Sequence, residues 1–81
     1  MKQRCLQGEV DRRYVVASVL KTLQALNLVC EASQPLSLND LVVMAALPKT
    51  TVFRYLHTLR AMRMVEHETA TDCYRAGLGV W

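Results

Sequence analysis

The sequence is poor in the residues that break chains: three glycines and two prolines in 81 residues. That excludes collagen-like and linker compositions. It also lacks a long apolar run, because after Val15 the apolar residues are interrupted by Ser18, Lys21, Thr22, Gln24 and Asn27, so the stretch cannot span a bilayer. No unbroken apolar segment follows the basic start Met1-Lys2-Gln3-Arg4 before Glu9, Asp11, Arg12 and Arg13, and no secretory leader is expected. Cysteine is scarce and unpaired in pattern. Cys5, Cys30 and Cys73 are odd in number and far apart, unlike a zinc ligand set or a redox motif, and read as buried or idle thiols of a reducing cytosol. No metal or cofactor is expected. His67 has no partner at metal-ligand spacing.

What is present is enough for one core. Apolar residues make up 52% and charged residues 21%, too apolar for a disordered chain. A domain this short hides only ~60–65% of its unfolded surface, which leaves no means for a two-lobed catalytic cleft. No Ser, His and acid set, glycine-rich phosphate loop or plausible carboxylate pair appears, so the chain does not read as an enzyme. Its net charge is a mild +3, but the distribution is uneven. From Leu41 to Val65 stand Lys49, Arg54, Arg60 and Arg63 with no acid, and Glu66, Glu68 and Asp72 follow at once. The positive field is concentrated in one segment.

Periodicity orders the elements. Met1 to Val10 is a poorly specified leader, and structure is expected from about Asp11, a fair N-cap. Val15, Val19, Leu23, Leu26 and Cys30 then recur at three- and four-residue spacing and predict a first helix with that stripe inward, ending near Ala32 before Gln34-Pro35. Ser37 and Asp40 form a capping-box pattern, with Leu36 and Leu41 as a hydrophobic staple, for a second helix from about Leu38 to Ala45. Ala46 and Leu47 lead to Pro48, suited to the first position of a third helix. That helix, about Pro48 to Met62, carries Val52, Tyr55, Leu56, Leu59 and Met62 on one side and Thr50, Arg54, His57 and Ala61 on the other. Phe53, at the edge of the core stripe, reads as packing in preference to a thymine-methyl contact. Met64–Glu68 and Cys73–Ala76 predict two strands joined by Thr69-Ala70-Thr71-Asp72.

Helix, helix, turn, helix, hairpin is the order of a helix-turn-helix, whose second member presents one face to a major groove. Here that face would offer Arg54 to guanine or phosphate, Thr50 and Thr51 to phosphate or base edges, and Lys49 as a flexible phosphate contact. Leu47 is a poor N-cap, so the first amides of the third helix lack an obvious acceptor that a phosphate could supply. His57 also lies outward. Arg60 can be read as a solvated charge and Arg63 as a cation favoured at a helix C-terminus. At the hairpin, Glu66, Glu68 and Asp72 would oppose a polyanion unless turned away, leaving Arg75, Thr69 and Thr71 as contacts, with the tip expected to touch phosphate and not to read bases.

Four segments carry a resemblance: Ser18-Val19-Leu20-Lys21-Thr22-Leu23, Leu36-Ser37-Leu38-Asn39-Asp40-Leu41, Leu47-Pro48-Lys49-Thr50-Thr51-Val52-Phe53-Arg54-Tyr55-Leu56 and Tyr74-Arg75-Ala76-Gly77-Leu78-Gly79. In order and spacing they resemble the N-terminal DNA-binding domain of IclR-family bacterial transcriptional regulators. The resemblance implies a mainly α fold with a small β-hairpin, a winged helix-turn-helix over residues 14–77. It follows a leader at 1–13 and precedes the start of a linker at 78–81. It implies operator binding as a homodimer, with a small-molecule effector sensed by a larger C-terminal domain absent from this chain. By position, Lys49, Thr50, Thr51 and Arg54 would contact DNA, supported by Ser37 and by Lys21 on the first helix. Three residues depart from the family: Ala46 and Arg63 stand where glycine is usual, and Ala76 replaces a larger apolar residue beneath the wing. The competing reading is a winged-helix protein-interaction module using the same face of the third helix.

Overall fold

The computed structural model describes residues 10–77. Cys5, most of the expected leader and the expected linker at 78–81 lie outside the described residues. A 3-10 turn at Arg12–Tyr14 leads to α1 (Ala17–Glu31), β1 (Leu36–Ser37), α2 (Leu38–Ala45), α3 (Lys49–Ala61), β2 (Val65–Glu68) and β3 (Cys73–Ala76). The strands form one antiparallel sheet in the order β1-β3-β2. Three helices with a small wing give the winged helix-turn-helix that the element order predicts.

Asp11 caps the 3-10 turn and not α1. Its carboxylate accepts from the Arg13 amide and guanidinium at 2.6–3.1 Å, which holds its pKa below the usual carboxylate range. Helix α1 begins five residues beyond Arg12, at Ala17, with Val16 as an N-cap that provides no side-chain bond. Its inward face also differs from the predicted stripe. Ala25 and Val29 are the buried residues, Leu26 and Leu28 are half-buried, and Val19, Leu23 and Cys30 are exposed. Ala25 has little side chain to keep a neighbouring element at a distance, so close packing there turns the larger residues of the first turns outward.

The α2 entry forms as its sequence dictates. Ser37 Oγ accepts from the Asp40 amide at 3.0 Å, and the Ser37 amide donates to Asp40 Oδ2 at 3.1 Å. Ala46 closes α2 in the left-handed region, φ 56°, its amide donating to the Val42 carbonyl at 2.9 Å. Helix α3 ends in a Schellman turn: the Met64 amide reaches the Leu59 carbonyl and the Arg63 amide the Arg60 carbonyl, both at 2.9 Å, with Arg63 at φ 61°. Both positions where the family resemblance expects glycine are therefore left-handed. Met62, expected in the core, is the C-cap of α3 and 65% exposed, because the helix stops before that residue can complete the stripe. Gly77 seals the Schellman turn. Its amide donates to the Met64 carbonyl at 2.9 Å, and a Cβ there would stand 2.5 Å from the Arg63 carbonyl oxygen.

The core joins Val29 of α1, Leu41 of α2, Val52, Leu56 and Leu59 of α3, Val65 of β2 and Tyr74 of β3. Leu36, Leu38, Val42, Leu47 and Met64 pack around it. It locks α3 by one side only. The opposite side of that helix, Thr50, Phe53, Arg54, His57 and Ala61, is exposed.

Candidate nucleic-acid interface

Helix α3 starts without a side-chain cap: Pro48 precedes it with φ −59° and ψ 148°, and the first helical bond runs from the Val52 amide to the Pro48 carbonyl at 3.0 Å. The amides of Lys49, Thr50 and Thr51 thus point out of the helix start with no intrahelical acceptor. Lys49 and Thr50 are exposed and Thr51 is half-buried. No acidic residue lies in α3, so the dipole's positive end, Lys49 and Arg54 add without opposition from within the helix.

Two hollows flank Arg54. One lies between α1 and α3 and is lined by Ser18, Thr22, Thr51, Arg54, Tyr55 and Thr58. Five hydroxyls surround one guanidinium there, with no carboxylate. Thr22 donates to the Ser18 carbonyl at 2.6 Å and Thr58 to the Arg54 carbonyl at 2.9 Å, which orients both hydroxyl oxygens. Sequence reasoning missed Ser18, Thr22, Tyr55 and Thr58. Their signal was two hydroxyl stripes, i and i+4 on α1 and i, i+4 and i+7 on α3, which gain meaning only once the two helices are known to meet. The second hollow lies at the starts of α2 and α3, between Leu38, Lys49, Thr50, Phe53 and Arg54. Phe53, expected to pack inward, is 47% exposed there, and its ring stacks on His57 with centroids 5.9 Å apart. His57 is thereby placed on the same outer face.

The other predicted site residues lie apart from this centre. Lys21 is exposed but lines a different hollow, with Gln24, Asn27 and Glu31 against Met44, Ala45 and Leu47. Ser37 accepts from Asp40 at the α2 start, leaving its hydroxyl proton available to donate. Arg75 is exposed on β3 and pairs with Glu66 at 3.3 Å and Glu68 at 3.6 Å. His67 Nε2 lies 2.7 Å from Asp72 Oδ1 across the wing loop. Glu66 and Glu68 therefore share the guanidinium of Arg75, which moderates part of the repulsion of a polyanion expected from sequence. Asp72 is left-handed at φ 55°, a position the sequence did not single out. Behind the wing, burial pushes the Tyr74 hydroxyl pKa up, the positive charge of Arg60 pulls it back, and Asp72 adds a further rise.

Among the described residues no three His, Cys, Asp or Glu side chains gather as a metal site, and no helix is long and apolar enough to cross a membrane. Cys30 and Cys73 are free thiols.

No curated protein matches this chain. Among solved structures, an IclR-family transcriptional regulator from Brucella abortus superposes with a TM-score of 0.77 at 23% identity, over 93% of this chain and 30% of that one. An IclR transcriptional regulator from Alicyclobacillus acidocaldarius gives 0.75 at 25% identity, over 83% and 27%. A transcriptional regulator of the IclR family from Rhodococcus sp. gives 0.71 at 28% identity, over 91% and 30%. The chain thus spans less than a third of the length of each of these structures. The profile of the IclR helix-turn-helix domain matches residues 18–69, from the hydroxyl stripe of α1 through α3 to the wing loop. The chain belongs to the IclR helix-turn-helix domain family.

Proposed function

We propose that this chain binds double-stranded DNA sequence-specifically, with α3 in the major groove, as the DNA-binding domain of a bacterial transcriptional regulator. The observation that carries the reading is the exposed, acid-free outer face of α3, with Arg54 at its middle and an uncapped, Lys49-bearing start. A groove about 12 Å wide admits such a helix. Arg54 reads a guanine edge, Thr50 supports a base or phosphate contact, and Lys49 with the free amides holds a phosphate. Thr51 and its hydroxyl neighbours in the α1–α3 hollow follow the backbone, and His57 and the Ser37 hydroxyl serve as further contacts. Lys21 acts at long range. Arg75 would have to exchange carboxylate for phosphate, so it contributes least.

The domain is assigned to residues 14–77, the protein to the cytoplasm, and the operator-bound form to a homodimer. Val16, Val19, Leu20 and Leu23, which α1 leaves in solvent, are a face that a second copy would cover. A small-molecule effector would act through a C-terminal domain outside this chain. Helix-turn-helix regulators bind; nothing in this constellation performs catalysis. The test is selection of bound sequences from a random duplex pool. We expect an enriched half-site, repeated with two-fold symmetry about one helical turn, ~34 Å, apart. A pool that stays random refutes sequence-specific recognition.

A further inference from the structure

We infer that the hollow between Leu38 and Phe53 is a receptor for the C5-methyl group of a thymine, and that Phe53 is a specificity-determining residue of this interface. The inference rests on the DNA-binding reading above and deepens it.

The starting observation is a mismatch of polarity. On a face otherwise made of cations and hydroxyls, Phe53 holds its ring 47% exposed, and the hollow it forms with Leu38, Lys49, Thr50 and Arg54 has a surface that is almost wholly carbon. Lys49 and Arg54 therefore line it with their stems, while their charges stand in solvent at the rim. An apolar recess rimmed by two cations has little use for bulk water and is complementary to one feature of duplex DNA. In the major groove only thymine carries an apolar substituent, and phosphates lie on either side of it. The base edges otherwise present donors and acceptors, which this recess cannot answer.

The recess is also held in shape. Leu38 is the first residue of α2, fixed by the Ser37–Asp40 capping box, and packs on the core. Phe53 is braced from the other side by the His57 ring, 5.9 Å away with the planes 27° apart. Phe53 and Arg54 are neighbours on one helix, so the methyl and the base edge read by Arg54 fall within about two base steps, given a helical rise of 1.5 Å per residue. Together they specify a dinucleotide-scale word: a thymine close to a guanine.

The test replaces each thymine of the selected duplex, one at a time, with deoxyuridine, which removes the methyl and leaves every hydrogen-bonding group in place. Binding of the 81-residue chain is measured at low salt. At one thymine per half-site the substitution should weaken binding roughly fourfold, the effect of one buried methyl. Phe53→Ala should bind the thymine and deoxyuridine duplexes equally, while Phe53→Leu, which keeps the recess apolar, should retain the preference. Circular dichroism checks that both variants fold, which the exposure of the side chain leads us to expect. If the chain binds duplex and selects a sequence but no thymine-to-deoxyuridine change matters, or if Phe53→Ala keeps the full preference, the methyl receptor is wrong and the DNA reading stands. If the chain binds no duplex at low salt, both are wrong.

Discussion

Replacing Arg63 by glycine should leave this domain more stable than replacing it by alanine, although both remove the same charged side chain at a helix C-terminus. Arg63 sits at φ 61° as the left-handed residue of the Schellman turn that ends α3. A side chain in that region costs about 1–2 kcal/mol per residue. Glycine removes this strain but adds freedom to the unfolded chain, a loss of about 0.4–1 kcal/mol. The dipole interaction forgone at an exposed site is about 0.3–1 kcal/mol. Against the parent these effects nearly cancel, to within about 1 kcal/mol either way, whereas against Arg63→Ala, which loses the same charge, glycine gains up to about 1.6 kcal/mol. Ala46, at φ 56° and with no charge to lose, should gain about as much. In a domain of this size about 1 kcal/mol moves Tm by roughly 4–8 °C. The assay is thermal unfolding followed by circular dichroism, with Arg63→Ala as the control that removes the charge and keeps the strain. Ala61→Gly, at a right-handed helical position, should lower Tm. If Arg63→Gly is no more stable than Arg63→Ala, or Ala46→Gly no more stable than the parent, the strain assigned to these two turns is not there.

Ser37→Ala removes the acceptor for the Asp40 amide and should cost about 1 kcal/mol of stability in urea unfolding. Gly77→Ala would drive a Cβ to 2.5 Å from the Arg63 carbonyl, so a large drop in urea midpoint is expected, and an unchanged midpoint would mean that the turn does not rest on Gly77. Because burial raises the Tyr74 pKa, the folded state holds that proton more tightly than the unfolded state. Its contribution is complete below the unfolded value of about 10 and fades as pH climbs through the folded value. Tyr74→Phe should flatten that alkaline decline in a pH series of urea midpoints. Arg54→Ala should cost about 1–3 kcal/mol on the selected duplex and relax its preference. Lys49→Ala should weaken selected and random duplexes alike, as expected of a phosphate contact.

How much of this was readable in the amino acids depended on the range of the interaction. The Ser37–Asp40 box and the four-residue wing loop are local and form where their patterns stand; Pro48 also marks the start of α3, but as its N-cap and not as its first helical residue. The pairing of Leu36 with Tyr74 and Ser37 with Cys73 is not local. A two-residue strand has no periodicity, so β1 exists only because β3 lies beside it. The face of α1 was misassigned in part for a related reason: its larger apolar residues surround the helix, and packing chose Ala25 and Val29, with Leu26 of the expected stripe beside them, over Val19 and Leu23. The outer face of α3 was legible from the basic, acid-free run. The hydroxyl hollow beside Arg54 and the recess at Phe53 were not, since each is built where two helices meet.

The central claim is that the outer face of α3 meets the phosphates and base edges of duplex DNA, and the slope of affinity against salt tests it most directly. Log Kd for the selected duplex should rise linearly with log salt, at about 0.9 per phosphate neutralised, and Lys49→Ala should lower that slope by about 1. A slope near zero, or one that Lys49→Ala leaves unchanged, would contradict the account.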